Sequence, residues 1–178
     1  MMILIFGEAS SGKSRYAESR LSEANGSPKI YAAMSEVYDE EMMRRVKIHQ
    51  AMRKDKGFVT IERPRDLGAA EIPAGASLMI ESLTVWTANE MFTADGVKDS
   101  GYIVRKILAD LSLICERVND VVIVADDIFS DGEEYDTLTE NYVRTFAELL
   151  RKIASVADEV IEIISGLNVC YKTRMDKL

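Results

Sequence analysis

The sequence predicts an α/β fold in which a mainly parallel β-sheet carries helices on both faces. Two observations lead to this prediction. Short apolar runs alternate along the chain with longer segments of helical period, and the first run leads through a glycine-containing turn into a helical segment. Strands separated by helical crossovers cannot pair as antiparallel hairpins, so the sheet is expected to be mainly parallel. The 178 residues, 47% of them hydrophobic, suffice for one domain with a continuous core.

Each element follows from a local pattern. The apolar runs predict buried strands at Met2–Phe6, Lys29–Ala33, Phe58–Ile61, Ser77–Ile80, Val121–Ala125 and Val160–Ile164. Helical composition or period predicts helices at Ser14–Ala24, Asp39–Arg53, Thr84–Phe92, Tyr102–Val118 and Thr137–Ala157. Thr137 and Glu140 have the spacing of a capping box at the start of the last helix. Thr93–Gly101, which contains two glycines, is expected to be disordered, as is the charged tail after Tyr171.

Charge and hydropathy limit the class of partner. The net charge of −8 and the sequence pI of about 4.8 disfavour broad binding of DNA, RNA or anionic lipid, because those partners attract basic surfaces. No apolar run approaches the roughly 20 residues that span a bilayer, and Met1–Phe6 is too short for a signal peptide. We therefore expect a cytoplasmic protein with small-molecule partners, no nucleic-acid partner and no membrane insertion. Cys115 and Cys170 show no metal-ligand spacing.

The strongest motif is a P-loop between a predicted strand and a predicted helix, which is the context that the motif requires. It comprises Gly7, Glu8, Ala9, Ser10, Ser11, Gly12, Lys13 and Ser14. Main-chain N–H groups of such a loop point at phosphate oxygens, and the following helix adds the positive end of its dipole. Lys13 is expected to reach the β- and γ-phosphates, and Ser14 to bind Mg²⁺. The sequence therefore predicts a P-loop nucleoside triphosphate hydrolase (RecA-like) architecture, with a single nucleotide-binding domain over residues 1–178.

Carboxylates follow three of the other predicted strands, at Glu62, Glu81 and Asp126–Asp127, and the last three residues could serve a metal ion. Glu81, Asp126 and Asp127 stand at carboxyl ends, where open α/β sheets bind their ligands. Any of the three could hold Mg²⁺, directly or through water, or accept a proton from an attacking hydroxyl. Each could instead be a turn or N-cap residue. Which of Asp126 and Asp127 matters is left open by the sequence.

His49 is the single histidine of the chain. On the predicted helix it shares a face with Met42 and Val46, with Arg45 and Arg53 one turn to either side. A neutral imidazole, with an ordinary pKa of about 6.5, could attack a phosphorus atom held between those arginines. A packed or surface histidine fits the same periodicity, so the pattern alone does not decide between the two interpretations.

Blocks along nearly the whole chain resemble those of a known family. They are Met2–Gly7 with Ser11–Glu18; Tyr31–Ser35; Asp39–Met42 with Arg45, Val46 and His49; Thr60 with Glu62; Glu81–Thr84 with Trp86 and Asn89; and Ala157–Val160 with Ser165 and Gly166. In this order and at this spacing they resemble the bifunctional adenosylcobinamide kinase/adenosylcobinamide-phosphate guanylyltransferase family of cobalamin biosynthesis. The chain departs from the family pattern at Asp126–Glu134, which replaces an Asn-Glu-Val-Gly-x-Gly-(Ile/Leu)-Val-Pro stretch.

The resemblance implies two transferase reactions. ATP or GTP phosphorylates the aminopropanol hydroxyl of adenosylcobinamide, and GTP then donates GMP to that phosphate through a guanylylated histidine, whose matching position is His49. The resemblance also implies a homotrimer. Besides the P-loop, it places the following residues in the guanine nucleotide site: Ala33, Met34, Ser35, Gln50, Ala51, Met52, Arg53, Glu62 and Glu81.

Two other functions stay open at this point. One is a different small-molecule P-loop kinase, in which His49 would be a bystander and only the γ-phosphoryl group would be transferred. The other is a non-catalytic, nucleotide-binding regulatory protein that keeps the loop without the chemistry.

Overall fold

The strands form a mainly parallel sheet, as predicted. The computed structural model describes residues 1–36, 44, 56–129 and 135–173. Its strands are β1 (Met2–Gly7), β2 (Lys29–Ala33), β3 (Phe58–Glu62), β4 (Ser77–Glu81), β5 (Phe92–Thr93), β6 (Gly96–Val97), β7 (Asp120–Asp126), β8 (Glu159–Ile164) and β9 (Leu167–Lys172). The main sheet has the order β3-β2-β4-β7-β1-β8-β9, and all its pairs are parallel except β8 with β9. All six predicted strands are present, and each begins and ends within one residue of its expected position.

Helices cover both faces of this sheet. They are α1 (Lys13–Glu23), α2 (Leu83–Met91), α3 (Ser100–Cys115) and α4 (Thr137–Val156), with a short 3₁₀ helix at Leu67–Ala69. Side chains alternate between faces along a strand, so Ile3 and Ile5 of β1 join the cluster under α1, whereas Leu4 joins the core that α2, α3 and α4 close. The α/β fold class is therefore confirmed. None of the helices in the described part of the chain is long and apolar enough to span a bilayer.

Side-chain caps fix where three helices begin. Ser82, Asp99 and Asp136 each accept a hydrogen bond from the main-chain N–H three residues on. The capping box predicted at Thr137 was wrong, because Asp136 is the cap: its Oδ1 lies 2.7 Å from the N–H donor of Thr139. These main-chain hydrogen bonds lower the pKa of the Asp136 carboxyl below its ordinary value.

Two further expectations were wrong or incomplete. Thr93–Gly101 is not disordered: β5 and β6 form an antiparallel hairpin there, and the Asp99 cap starts α3 at Ser100. β9 was not predicted, because it lies at the exposed edge of the sheet and has no buried face. The predicted helix Asp39–Arg53 lies outside the described residues, except for Arg44.

Candidate functional site

The loop between β1 and α1 is shaped by two glycines and held by the turn after β8. Gly12 has a φ of 99°, a left-handed value that glycine adopts without steric cost. A Cβ atom at Gly7 would lie 2.5 Å from the carbonyl oxygen of Ile163, so the close approach of β8 excludes a side chain. The N–H of Gly166 donates to the carbonyl oxygen of Ser11 at 2.9 Å. The P-loop therefore rests against the β8–β9 turn.

Lys13 is buried at the centre of this loop. Its side chain is 8% exposed, and its Nζ lies 2.8 Å from Oδ1 of Asp126. The same ammonium donates to the carbonyl oxygen of Glu8 at 2.9 Å. A buried charge needs compensation, which the carboxylate supplies here. Because an ammonium carries three donors, these two contacts leave capacity for a phosphate oxygen.

Ser14 and Glu81 meet beside Lys13. Ser14 lies in the first turn of α1 and Glu81 ends β4, and the Ser14 hydroxyl donates to Oε1 of Glu81 at 2.5 Å. Hydroxyl and carboxylate oxygens are the hard ligands that Mg²⁺ prefers. The described residues contain no group of three or more His, Cys, Asp or Glu side chains suited to a metal ion. The donor set thus fits an ion whose remaining ligands are phosphate oxygens and water.

Asp126 and Asp127 have different surroundings. Asp126 ends β7 opposite Gly7, and besides Lys13 its carboxylate accepts a hydrogen bond from the Ser82 hydroxyl at 3.2 Å. The N–H of Asp127 donates to the carbonyl oxygen of Gly7 at 2.8 Å, and its Oδ1 accepts from the N–H of Phe129 at 3.0 Å. Asp126 is therefore the aspartate that faces Lys13, whereas Asp127 forms hydrogen bonds with the main chain of Gly7 and Phe129.

Sequence reasoning missed three residues that support Asp126. Ser82 caps α2 while it bonds the Asp126 carboxylate, and the Thr84 hydroxyl accepts from the Asp126 N–H at 2.8 Å. The Tyr142 hydroxyl donates to the carbonyl oxygen of Thr84 at 2.9 Å. Burial raises the pKa of the Tyr142 phenol, and the negative charge of Asp126 raises it further. Ser82 and Thr84 lie in the Glu81–Thr84 block that resembles the family, but the block gave neither a role, and Tyr142 carried no sequence signal.

The remaining expected site residues lie towards the other edge of the sheet or outside the described chain. Ala33 pairs with Glu62 on one side and Glu81 on the other, and the N–H of Met34 donates to the Glu81 carbonyl oxygen at 2.9 Å. Glu62, on the edge strand β3, is four strands from Gly7, about 19 Å at the usual spacing. Ser35, next to Met34, is exposed. His49, Gln50, Ala51, Met52 and Arg53 lie outside the described residues.

Sequence comparisons find a family model and two relatives that match nearly the whole chain. The family model "Cobinamide kinase / cobinamide phosphate guanyltransferase" matches residues 3–171. Over 175 residues the chain is 32% identical to "Bifunctional adenosylcobalamin biosynthesis protein CobP" of Pseudomonas aeruginosa, covering 97% of this chain and 98% of the relative. Over 184 residues it is 28% identical to "Bifunctional adenosylcobalamin biosynthesis protein CobU" of Escherichia coli, covering 97% and 100%.

Solved structures agree on the fold alone. A KaiC-like protein of Pyrococcus horikoshii superposes with a TM-score of 0.56 at 12% identity, covering 99% of this chain and 81% of that one. The flagellar accessory protein FlaH of Methanocaldococcus jannaschii superposes with a TM-score of 0.51 at 13% identity, covering 98% and 79%.

Proposed function

Because the chain belongs to the cobinamide kinase/cobinamide phosphate guanyltransferase family, we propose that it phosphorylates adenosylcobinamide with a nucleoside triphosphate and then transfers GMP from GTP to the product. The observation that carries this proposal is the convergence at the P-loop of an ammonium group, a hydroxyl and two carboxylates. These are Lys13, Ser14, Glu81 and Asp126. The set provides what a triphosphate needs: donors for its oxygens and ligands for its counter-ion.

In the first reaction, the main-chain N–H groups of the P-loop and Lys13 hold the β- and γ-phosphates. The aminopropanol oxygen of adenosylcobinamide bonds to the γ-phosphorus, and the bond to the bridging oxygen of the β-phosphate breaks. The hydroxyl proton passes to one carboxylate of the site, that of Glu81 or that of Asp126. Lys13 stabilises the charge that develops on the transferring group, which is where preorganised donors contribute most.

Ser14 and Glu81 would hold Mg²⁺ in this site, with Asp126, the aspartate that faces Lys13, contributing directly or through water. The ion would neutralise charge on the phosphate oxygens when bound. Support comes from the donor set, since the Ser14 hydroxyl and the Glu81 carboxylate are already in contact at 2.5 Å. The protein contributes by holding the Ser14 hydroxyl and the Glu81 carboxylate close to Lys13.

In the second reaction, we assign the nucleophile to His49 by its match to the family's guanylylated histidine. An imidazole nitrogen bonds to the α-phosphorus of GTP and pyrophosphate leaves; an oxygen of adenosylcobinamide phosphate then bonds to that phosphorus and the imidazole leaves. The same match assigns Ala33–Ser35, Gln50–Arg53 and Glu62 to the guanine nucleotide of this step. The family resemblance also supports a homotrimer, for which light scattering should give three times the 19.9 kDa chain mass.

Labelled GTP tests the proposal. With α-labelled GTP and Mg²⁺, the unaltered protein should form an acid-labile adduct, and His49→Ala should not. With γ-labelled GTP or ATP, both proteins should still phosphorylate adenosylcobinamide at rates within a few-fold of each other. A kinase of another kind would transfer the γ-label to another acceptor and never retain the α-label. Equal loss of both activities in His49→Ala would contradict the separate role of this residue.

A further inference from the structure

A cavity of about 320 Å³ lies between the P-loop and the carboxyl end of β8. Its wall includes Glu8 and Ser11 of the P-loop, Asp127 after β7, and Glu162 and Ser165 at the end of β8. Lys13, Ser14, Glu81 and Asp126 are not part of this wall. Residues 8–11 of the P-loop therefore border both this cavity and the proposed phosphate site, and the rest of the cavity wall comes from Asp127 and the end of β8.

The wall is rich in hydrogen-bond acceptors and negative charge. Three of its side chains are carboxylates, which accept but do not donate when ionised. Such a wall repels phosphate and suits a neutral group that presents N–H or O–H donors. The Ser11 hydroxyl is buried, with 9% of the residue exposed, and has no hydrogen-bond partner among the described residues. A buried polar atom of this kind is usually satisfied by a ligand or water.

Glu162 has a side-chain hydrogen-bond partner at the edge of the cavity. Its Oε2 accepts a hydrogen bond from the Tyr171 hydroxyl at 2.6 Å. The Tyr171 ring in turn packs against Phe6 with ring centroids 5.9 Å apart. A carboxylate has about four acceptor positions on its two oxygens, so the Tyr171 contact leaves capacity for a pair of ligand donors.

The sheet order gives the direction of a bound triphosphate. Glu81 and Asp126 end β4 and β7, on one side of β1, and Glu162 lies on β8, on the other side. The reacting γ-phosphate has to face Lys13 and the two carboxylates. The β8 side of β1 is the side away from these carboxylates, and it is also opposite to Ala33–Ser35 and Glu62, which are assigned above to the guanine nucleotide of the second reaction.

We propose that this cavity holds the nucleoside of the triphosphate used in the phosphorylation step, with the Glu162 carboxylate accepting hydrogen bonds from a pair of its donors. The assignment rests on the proposed binding of triphosphate by the P-loop. Two parts of a nucleoside offer such a pair: the two ribose hydroxyls, present in ATP and GTP alike, and the adjacent N1–H and N2–H groups of guanine. Adenine presents an acceptor next to its amino group and cannot bind a carboxylate through two donors.

Calorimetry on full-length protein separates the binding of the triphosphate group from the binding of the nucleoside. Inorganic triphosphate, ATP, GTP and the dideoxy forms of both nucleotides are titrated into the unaltered protein, Glu162→Gln and the control Glu116→Gln, which changes an exposed carboxylate after α3. Glu162→Gln should weaken nucleotide binding by roughly tenfold to a hundredfold, as expected for loss of charged hydrogen bonds, and leave triphosphate binding unchanged. Tyr171→Phe removes the hydrogen bond that holds the Glu162 carboxylate, and it should also weaken nucleotide binding, but by a smaller factor than Glu162→Gln.

The nucleotide series identifies the donors. If the effect of Glu162→Gln disappears with the dideoxy nucleotides, the ribose hydroxyls are the partners; if it is confined to GTP and dideoxy-GTP, guanine is the partner. Both outcomes support the cavity assignment. Equal weakening of triphosphate and nucleotides, or no weakening of either, overturns it. Failure of the unaltered protein to bind triphosphate at all would instead contradict the proposed function.

Discussion

Lys13 and Lys106 both have side chains that are less than one-fifth exposed, but their surroundings differ. Lys13, in the P-loop, contacts one carboxylate, that of Asp126, and one carbonyl oxygen. Lys106, on α3, contacts three carboxylates, those of Asp66, Glu90 and Asp110, at 2.9, 2.8 and 3.1 Å. The three donors of Lys106 are thereby used within the protein. The difference indicates that Lys13 is arranged to exchange partners and Lys106 to hold structure together.

The Lys106 cluster joins three parts of the fold. Glu90 of α2 also accepts from the indole N–H of Trp86 at 3.1 Å and from the main-chain N–H of Asp66 at 2.7 Å. Burial lowers the pKa of Lys106, but its hydrogen bonds to Glu90, Asp66 and Asp110 raise it to a net value above the ordinary one. The hydrogen bond from Lys106 lowers the pKa of Asp66. A cluster in which every member has a partner stabilises a unique packing of α2, α3 and the loop before the 3₁₀ helix.

Replacing Lys13 should have the largest effect on activity. Lys13→Ala should lower both phosphorylation and GMP transfer by about a hundredfold to a thousandfold or more, because it removes a preorganised cation from the transferring phosphate. Transfer of γ- and α-label measures the two reactions separately. Lys56→Ala, which alters a half-exposed lysine paired with Glu18, serves as the control and should keep both rates. Retention of either reaction in Lys13→Ala would remove the basis for treating the two lysines differently.

Replacing Lys106 should affect stability instead. Lys106→Met leaves the buried Glu90 carboxylate without its cation, which should lower the free energy of unfolding by about 3 to 5 kcal/mol. Urea unfolding measures the change, and activity per folded molecule should stay near that of the unaltered protein. Lys152→Met, at an exposed pair with Glu148, should change stability by less than about 1 kcal/mol. A fall in activity at unchanged stability would show that Lys106 is not merely structural.

Replacing Ser82 should produce the smallest effect, and it should lower both activity and stability. Ser82→Ala removes the α2 cap, which should cost about 1 kcal/mol of stability, and releases the Asp126 carboxylate that faces Lys13. We expect a loss of phosphorylation rate of roughly three- to tenfold, since one neutral-to-charged hydrogen bond is removed. Asp136→Ala removes a cap of similar strength from α4 and should spare the rate. Equal rates in the two variants would exclude a positioning role for Ser82.

Local patterns predicted the parts of the fold that depend on burial. Strands such as β4 and β7 are apolar runs buried on both faces, so their composition alone reveals them. β9 escaped prediction because its side chains are exposed, Leu167 to 72%, and it is stabilised by pairing with β8. The hairpin of β5 and β6 was not predicted, because a glycine-containing segment has the same composition in a disordered loop and in the turn of a hairpin.

The candidate site was predictable where a motif or a strand end marked it. Residues 7–14 and Glu81 were named as site candidates in this way, because a loop motif and the carboxyl end of a buried strand mark their positions. The choice between Asp126 and Asp127 was not predictable, because it depends on which carboxylate the end of β7 turns towards Lys13. Tyr142 was not predictable either, since its contact with Thr84 joins residues 58 positions apart.

A crystal structure with a non-hydrolysable GTP analogue and Mg²⁺ tests the central claim most directly. We predict that the ammonium of Lys13 contacts oxygens of the β- and γ-phosphates, with the main-chain N–H groups of residues 7–14 around the triphosphate and the Ser14 hydroxyl turned from Glu81 towards the ion. A triphosphate bound elsewhere, with Lys13 still paired only to Asp126 and Glu8, would contradict it.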